Sequence, residues 1–248
     1  MAFSSSYGVL RSLLTYYGPV WRRGRMHRFY QQFITRGALC FDVGAHVGNR
    51  VRAGRRLGAR VIAVEPQPPG LEVLRLLYRG DSEVQIVDSA VGPAPGRTTL
   101  YASSATPTLS TTAADWVHEV QEGDSRFAAI RWDSQVDVEV TTLDRLIAIY
   151  GAPTFCKIDV EGSELQVLEG LTEALPALSF EFLPVSIKRA YGCIDRLSAL
   201  GVYRFRWSAV ETMRWSCPEW VDADGMKDIL GAQPAEGRSG DVYAVRAT

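Results

Sequence analysis

One nine-residue segment, Phe41 to Asn49, constrains the fold of this 248-residue chain more than any other. It follows the apolar run Ala38 to Cys40 and reads Phe-Asp-Val-Gly-Ala-His-Val-Gly-Asn, ending where a helix-like stretch begins. Gly44 lets the chain turn tightly and lets a ligand lie against the backbone, and Gly48 allows the next helix to pack closely. The segment therefore predicts a strand, a tight turn and a helix start that together bind a nucleotide or nucleoside.

The strand after this turn carries a second signal. The run Val61 to Val64 is apolar and ends in Glu65, roughly 20 residues after Asp42. In dinucleotide-binding folds an acid at this spacing hydrogen-bonds the ribose hydroxyls. The two signals together predict a nucleoside pocket.

Short apolar strands alternate with helical segments from residue 38 onward. The pattern predicts strands at 38–42, 60–64, 84–87, 97–101, 136–141, 154–158, 177–182, 202–207 and 241–246, and helices at 48–58, 69–79, 143–150, 163–170 and 186–200. Such alternation is typical of an α/β fold with a parallel sheet that is covered on both faces. We find neither an internal repeat nor a linker, so we expect one domain over residues 1–248.

Three segments do not fit the alternation. Residues 1–36 carry apolar and aromatic positions at roughly helical spacing, broken at Gly18-Pro19, which predicts two helices that cover the sheet. A Ser/Thr/Ala-rich insert at 102–134 and a Trp-rich excursion at 208–238 interrupt the later strands. Because loops beyond strand ends usually build substrate sites, we expect these two segments to form a lid and to bind substrate. Their tryptophans would either stack on a sugar or form the core of the lid.

Composition excludes several classes of protein. With 46% hydrophobic and 22% charged residues, the chain is typical of a soluble globular protein, and a net charge of -1 gives no general attraction for nucleic acid. The four cysteines are far apart and form no CxxC pair, so neither a zinc site nor a disulfide framework is indicated. No window approaches the ~20 apolar residues of a membrane span. We expect a cytoplasmic protein; its oligomeric state is not indicated.

Asp88 and Ser89 come directly after the predicted strand 84–87. An acid or a hydroxyl at this place would bind the edge of an adenine. Asp and Ser are also common turn formers, so both interpretations stay open on these residues alone.

Three carboxylates, Asp159, Glu161 and Glu164, fall within six residues at the end of an apolar strand. A helix start explains Glu164, since an acid in the first turn complements the helix dipole, but it does not require the other two. Glu181 lies within another apolar strand. Because a buried, unpaired carboxylate is costly, this residue should lie near the strand end or be paired. We predict that Asp159 and Glu181 face one cleft.

Three sequence segments, taken in order, resemble the FkbM-type methyltransferases: Phe41 to Asn49, Val140 to Asp144 and Lys157 to Glu164. The likeness spans about residues 38 to 183. The resemblance implies a Rossmann-like S-adenosylmethionine-dependent methyltransferase fold. In that fold a seven-stranded, mostly parallel sheet has an antiparallel last strand, and the predicted strand 241–246 fits that place.

The resemblance also implies roles for individual residues. Those implied to bind S-adenosyl-L-methionine are Asp42, Gly44, His46, Gly48, Asn49, Glu65, Asp88 and Ser89. Glu65 would bind the ribose, Asp88 and Ser89 would contact the adenine, and Asp159 would lie beside the sulfonium and the acceptor.

Asp159 and Glu181 are the predicted catalytic pair for methyl transfer, which the family likeness directs to an oxygen of a sugar, glycan or secondary metabolite. Two carboxylates would either accept the proton of an alcohol or bind Mg²⁺. Because no third carboxylate ligand is clear in the sequence, we do not predict a metal site, although a divalent metal stays possible.

Two other functions fit parts of the pattern. A nucleotide-dependent oxidoreductase would use the same glycine turn and acid for NAD, but no Tyr is followed four positions later by Lys, and the acidic cluster has no task in hydride transfer. A non-catalytic nucleoside-binding module would keep the pocket without acceptor chemistry. The presence of both Asp159 and Glu181 argues against that alternative.

Overall fold

The computed structural model of the protein describes residues 20–247. These residues form ten strands: β1 (Leu39–Val43), β2 (Arg60–Val64), β3 (Val84–Val87), β4 (Ala90–Val91), β5 (Gly96–Ala102), β6 (Ser134–Thr141), β7 (Phe155–Ile158), β8 (Ala177–Phe182), β9 (Tyr203–Ala209) and β10 (Gly240–Arg246). They also form eight α-helices: α1 (Val20–Tyr30), α2 (Asn49–Arg56), α3 (Pro68–Leu77), α4 (Ala114–Gly123), α5 (Leu143–Tyr150), α6 (Glu164–Glu169), α7 (Ile187–Leu200) and α8 (Ala223–Gly231). The first of the two predicted N-terminal helices lies outside the described residues, and α1 corresponds to the second.

Seven strands form one twisted sheet in the order β3-β2-β1-β7-β8-β10-β9. Strands β3, β2, β1, β7 and β8 pair in parallel, whereas β10 runs antiparallel to both β8 and β9. The predicted mostly parallel sheet with an antiparallel last strand is therefore confirmed. The strand order reverses between β1 and β7, and the crevice at such a switch point is where open α/β sheets bind ligands.

Both faces of this sheet are buried, which explains the nearly continuous apolar runs of its strands. On one face Phe41 and Phe180 pack beneath α5, α6 and α7. On the other face Phe155 and Tyr243 pack with the aromatic residues of α1. Neighbouring residues of one strand point to opposite faces, so nearly every position of a central strand is apolar, with Asp42, Lys157 and Ser179 among the buried polar exceptions.

Strands β4, β5 and β6 form a separate three-stranded sheet in the order β4-β6-β5. The interpretation of 97–101 and 136–141 as further members of the alternating parallel pattern was therefore wrong. In β6 most positions are exposed or half-buried, and only Val138 is buried. A strand with one solvent-exposed face cannot occupy the interior of a sheet that is covered on both sides.

The two irregular segments contain helices that the sequence did not predict. The insert 102–134 folds into a short 3₁₀ turn, Pro107–Leu109, and the helix α4, around the fully buried Trp116. The excursion 208–238 contains α8. Its Trp215 packs edge-on against Trp220 and 4.7 Å, centroid to centroid, from Phe29 of α1. These tryptophans pack in hydrophobic clusters, which agrees with the expectation that they form a core and not a stacking surface for a sugar. Within residues 20–247, no helix combines the length and the apolar character needed to span a bilayer.

Candidate functional site

The turn after β1 lies at the switch point because β1 pairs with β7, with Val43 opposite Ile158. Gly44 has φ +84°, a conformation that disfavours side chains, and its amide donates a hydrogen bond to the Val64 carbonyl at 2.9 Å. A Cβ atom at this position would lie 1.8 Å from the carbonyl oxygen of Asp159. Only glycine therefore lets the β1 turn and the loop after β7 approach each other.

Gly48 caps the start of α2 with φ +79°. A Cβ atom here would lie 2.8 Å from the Leu74 side chain and 2.9 Å from that of Tyr78. Tyr78 also donates its hydroxyl proton to the Gly48 carbonyl at 2.8 Å. Gly48 packs closely, as the sequence predicts, and its neighbours are Leu74 of α3 and Tyr78, which follows α3.

Glu65 ends β2 and is buried, with 5% of its surface exposed. Its Oε2 atom accepts a hydrogen bond from the His46 amide at 2.7 Å, and Oε1 accepts one from the Gln67 amide at 2.8 Å. Burial raises the pKa of this carboxyl to about 7 despite these two bonds. Because each carboxylate oxygen has two lone pairs, both retain capacity for a further donor.

A cavity of about 570 Å³ opens between this acid and the β1 turn. Predicted cofactor residues on its wall are Gly44, His46, Glu65 and Ser89, and Asp159 lies at one end. The insert contributes Pro107, Thr108, Ser110 and Thr112 to the same wall. We call this cavity the nucleoside pocket.

Gln67 is a wall residue that the sequence interpretation missed. The Gln67 side-chain amide donates to Ser110 Oγ at 2.6 Å, which fastens the insert to the loop after β2. The signal was weak, because a single Gln after a strand has many ordinary explanations.

Asp88 is placed differently from its neighbour Ser89. Its half-exposed carboxylate forms an ion pair with Arg75 at 3.0 Å, and Asp88 is not among the residues that line the nucleoside pocket. Ser89 does line that pocket, and its hydroxyl donates to the Asp88 carbonyl at 2.6 Å. The structure thus brings Ser89 to the predicted site and leaves the Asp88 side chain outside it.

A second cavity of about 610 Å³ adjoins the first and shares Gly44, His46, Thr108, Asp159 and Glu161 with it. Its remaining wall residues are Asp42, Asn49, Arg50, Glu181, Val210, Glu211 and Asp241. We call this cavity the acidic pocket, since acids outnumber the single arginine on its wall. Val210 and Glu211 belong to the 208–238 excursion, so both irregular segments reach the paired cavities.

Burial strongly shifts the pKa values of Asp42, which lies in β1, and of His46, which lies in the turn after it. Burial raises the pKa of Asp42 to about 6, although the charges of Arg50 and Lys157 act against this change. Burial lowers the pKa of His46 to about 4, and the negative charge of Asp159 opposes that shift only in part. His46 is therefore neutral at physiological pH and suited to accept or donate a hydrogen bond, not to supply charge.

Asp159 and Glu181 face the acidic pocket together, as the sequence predicts. Glu161 joins them, and carboxylate oxygens of the three residues lie within 4.8 Å of one another. The sequence pattern alone indicates no role for Glu161. The loop places it here because Glu161 adopts φ +54°, an uncommon conformation that turns the chain just before Gly162.

The charges in this group are strongly coupled. Burial is the largest influence and acts to raise the pKa of Asp159, but the Lys157 ammonium 3.2 Å from Oδ2, a hydrogen bond with Glu181 and the charge of Arg50 together outweigh burial and lower that pKa. Burial and then the charge of Asp159 raise the pKa of Glu181 well above its usual range, and the same two causes raise that of Glu161. The site therefore holds one ionised carboxylate beside two that retain protons readily.

Glu164 is buried and turns back toward the loop that precedes its helix. It accepts hydrogen bonds from the Val160 amide at 3.0 Å and from the Gly162 amide at 3.1 Å. Burial raises its pKa to about 7. Beyond favouring the helix start, this carboxylate holds the loop that carries Asp159 and Glu161.

Comparisons with known proteins bear on the family and the fold. The model of the methyltransferase FkbM domain matches residues 42–188, which is more than half of the chain. A TehB-like SAM-dependent methyltransferase from Corynebacterium glutamicum shares the fold, with a TM-score of 0.51, 10% identity and coverage of 99% of both chains. No curated protein matches the chain in sequence.

Two further solved structures are more distant. The precorrin-6y C5,15-methyltransferase from Geobacter metallireducens has a TM-score of 0.48 and 9% identity, over 91% of this chain and 87% of its own. The fibrillarin of Aeropyrum pernix in complex with S-adenosyl-L-methionine has a TM-score of 0.43 and 9% identity, over 86% of this chain and 68% of its own.

Proposed function

The chain belongs to the FkbM methyltransferase family, and on that premise we propose that it transfers the methyl group of S-adenosylmethionine to an oxygen of a sugar, a glycan or a secondary metabolite. The observation that carries this proposal is the pair of adjoining cavities that share Gly44 and Asp159. A methyltransferase needs one cavity for the cofactor and one for the acceptor, with the reacting atoms where the two meet.

The nucleoside pocket suits S-adenosylmethionine. Glu65 presents a buried carboxylate with spare lone pairs to ribose hydroxyls, and Ser89 lies on the same wall for the adenine. The methionine end would lie along the β1 turn, where Gly44 and His46 line the pocket. Asp88 would contact the adenine only after releasing Arg75, so we assign the adenine side to Ser89 first.

The acidic pocket suits a polar acceptor. Six acids, one arginine and Asn49 line it, and a wall of this kind hydrogen-bonds hydroxyl groups instead of burying an apolar skeleton. Excess negative charge would repel the phosphates of a nucleic acid, which supports a small-molecule or glycan acceptor. A cytoplasmic location, which the composition predicts, belongs to the same proposal.

Methyl transfer from a sulfonium is an in-line displacement. The acceptor oxygen forms a bond to the methyl carbon while the carbon–sulfur bond breaks, and the bond's electron pair stays on sulfur, giving S-adenosylhomocysteine. The hydroxyl proton passes to a carboxylate of the Asp159 and Glu181 pair. Most of the rate enhancement would come from aligning the acceptor oxygen, the methyl carbon and the sulfur, because the protein forms no covalent bond to either substrate.

Cofactor binding is the first test. Calorimetric titration with S-adenosylmethionine and S-adenosylhomocysteine should give micromolar affinity in the wild type and at least tenfold weaker affinity in Glu65→Ala. Asp88→Ala is the matched comparison at the next strand end, and its affinity should fall by less than threefold. Binding of NAD in place of S-adenosylmethionine would favour the oxidoreductase alternative and contradict the proposal.

Acceptor chemistry is the second test. Cofactor labelled in its methyl group is incubated with panels of sugars, glycans and polyketide alcohols, and labelled product is identified as an ether. At saturating cofactor, Asp159→Asn and Glu181→Gln should each lower kcat by 10²-fold or more. Unchanged turnover in both variants would remove the pair from the chemistry, and binding of cofactor with no transfer to any panel would favour the non-catalytic module.

A further inference from the structure

The Asp159, Glu161 and Glu181 carboxylates form a group that the described cations balance only in part. Lys157 contacts Asp159 at 3.2 Å, but it also pairs with Asp241 at the shorter distance of 2.7 Å. Within residues 20–247, neither Glu161 nor Glu181 forms an ion pair. Like charges this close in a partly buried site raise the free energy of the fully ionised state, which either bound protons or a cation can lower.

A second observation on the same pocket points to a cation. Asp42 also lines the acidic pocket and is only 4% exposed, yet its Oδ2 atom has no hydrogen-bond partner among the described residues. The same holds for the buried Oε2 atom of Glu181. Buried carboxylate oxygens without donors are rare in folded proteins, because each costs free energy unless a donor or a metal ion meets it.

The spacing of the three carboxylates suits one ion. Two oxygens that ligate the same cation can lie no farther apart than twice the metal–oxygen distance, roughly 4.2 Å for Mg²⁺ and about 5 Å for Ca²⁺. The oxygens of the three carboxylates lie within 4.8 Å of one another, a separation that Ca²⁺ spans and that a smaller ion such as Mg²⁺ would reduce by small side-chain shifts. All-oxygen donors of this kind select hard divalent cations.

We propose that Asp159, Glu161 and Glu181 bind one hard divalent cation, of the class of Mg²⁺, Mn²⁺ and Ca²⁺, at the junction of the nucleoside pocket and the acidic pocket. The proposal rests on the proposed function, since a cation at this place would bind the acceptor hydroxyl and make its proton more acidic. A carboxylate has two oxygens, so a residue of the group can ligate through one and accept the acceptor's proton through the other.

The test is titration of the full-length protein with Mn²⁺, followed by electron paramagnetic resonance of the free ion. We expect one saturable site per chain, displaced by Mg²⁺, with affinity at least tenfold weaker in Glu161→Gln. Glu161→Asp, which retains the carboxylate, should recover part of the affinity. Glu211→Gln is the matched control, because Glu211 lines the same pocket but pairs with Arg50, and its affinity should change by less than threefold.

Three results would overturn the proposal: no saturable binding in the wild type, equal losses in Glu161→Gln and Glu211→Gln, or wild-type affinity in Glu161→Gln. Circular dichroism and cofactor titration show whether each variant is folded. Methyl transfer that persists in a chelator, with no Mn²⁺ site, would refute the metal and leave the proposed function intact. A Mn²⁺ site in a protein that binds no S-adenosylmethionine would refute the function alone.

Discussion

The ammonium of Lys157 in β7 lies 2.7 Å from the Asp241 carboxylate in β10, although β8 separates the two strands. Both residues are almost completely buried. Asp241→Asn leaves the buried Lys157 ammonium with only its longer contact, 3.2 Å to Asp159, so this variant should lower the free energy of unfolding by about 3 kcal/mol. Urea denaturation followed by tryptophan fluorescence measures this loss.

Asp195→Asn is the matched control for Asp241→Asn. Asp195 forms an ion pair with Lys227 at the surface, where the Asp195 side chain is 63% exposed. Exposed pairs contribute about 0.5 kcal/mol, because water and salt screen them. Equal losses in the two variants would show that the Lys157 pair contributes no more than a surface contact.

Cofactor affinity should depend on the protonation state of Glu65. Burial raises its pKa to about 7 in the ligand-free protein, and an ionised carboxylate accepts ribose hydroxyls better than a protonated one. Affinity for S-adenosylmethionine should therefore fall as the pH drops below about 7, by up to about tenfold per pH unit. Calorimetry between pH 5.5 and 8.5 measures the slope.

Glu65→Gln separates the titration of Glu65 from that of Asp42 in β1, whose pKa burial raises to about 6. A glutamine cannot ionise, so this variant should bind weakly with little change in affinity between pH 6.5 and 8.5. If the variant kept the wild-type slope in that interval, Glu65 would not be the titrating group.

The central sheet was predictable because burial on both faces leaves a strong pattern. Strands β1 and β2 are short, largely apolar runs, with Asp42 one position before the end of β1 and Glu65 directly after β2, and this pattern favours a covered parallel sheet. The small sheet was not predictable in the same way. Its strand β6 pairs antiparallel with β5, across the whole insert, and a period of two in sequence does not say which strands pair.

The candidate site was predictable where a residue's place follows from the strand that carries it. Glu65, Asp159 and Glu181 lie at or near strand ends and reach the cavities. Asp88 also follows a strand, but Arg75 of the neighbouring helix draws its side chain away. Glu161 reaches the acidic pocket through a left-handed loop conformation, which no periodic pattern encodes.

Gly44→Ala should both destabilise the protein and abolish cofactor binding. The new Cβ would lie 1.8 Å from the Asp159 carbonyl oxygen, so the β1 turn and the loop after β7 must separate. We expect a loss of about 3 kcal/mol or more in the free energy of unfolding, as for other severe overpacking. Urea denaturation and calorimetry with S-adenosylmethionine measure the two effects.

Gly37→Ala isolates the backbone contribution to that loss. Gly37 has φ +81°, close to that of Gly44, but a Cβ atom there meets nothing within 4 Å. Its cost should be about 1 kcal/mol, from the left-handed conformation alone, and cofactor affinity should not change. If the two alanine variants unfolded at the same urea concentration, contact with the Asp159 carbonyl would not be what requires glycine at position 44.

Glu164 should make the ligand-free protein less stable as the pH rises. Burial raises its pKa from 4.5 to about 7, so between these values the folded state binds more protons than the unfolded state. Stability from this group is fully present below pH 4.5 and is lost as the pH rises through 7, by up to about 3 kcal/mol. Glu164→Gln removes the titration and should flatten the decline between pH 5 and pH 8 by up to that amount. Glu173→Gln, at an exposed position of a nearby loop, should keep the wild-type decline of stability with pH. An equal decline in the wild type and in Glu164→Gln would exclude Glu164 as the source of this pH dependence.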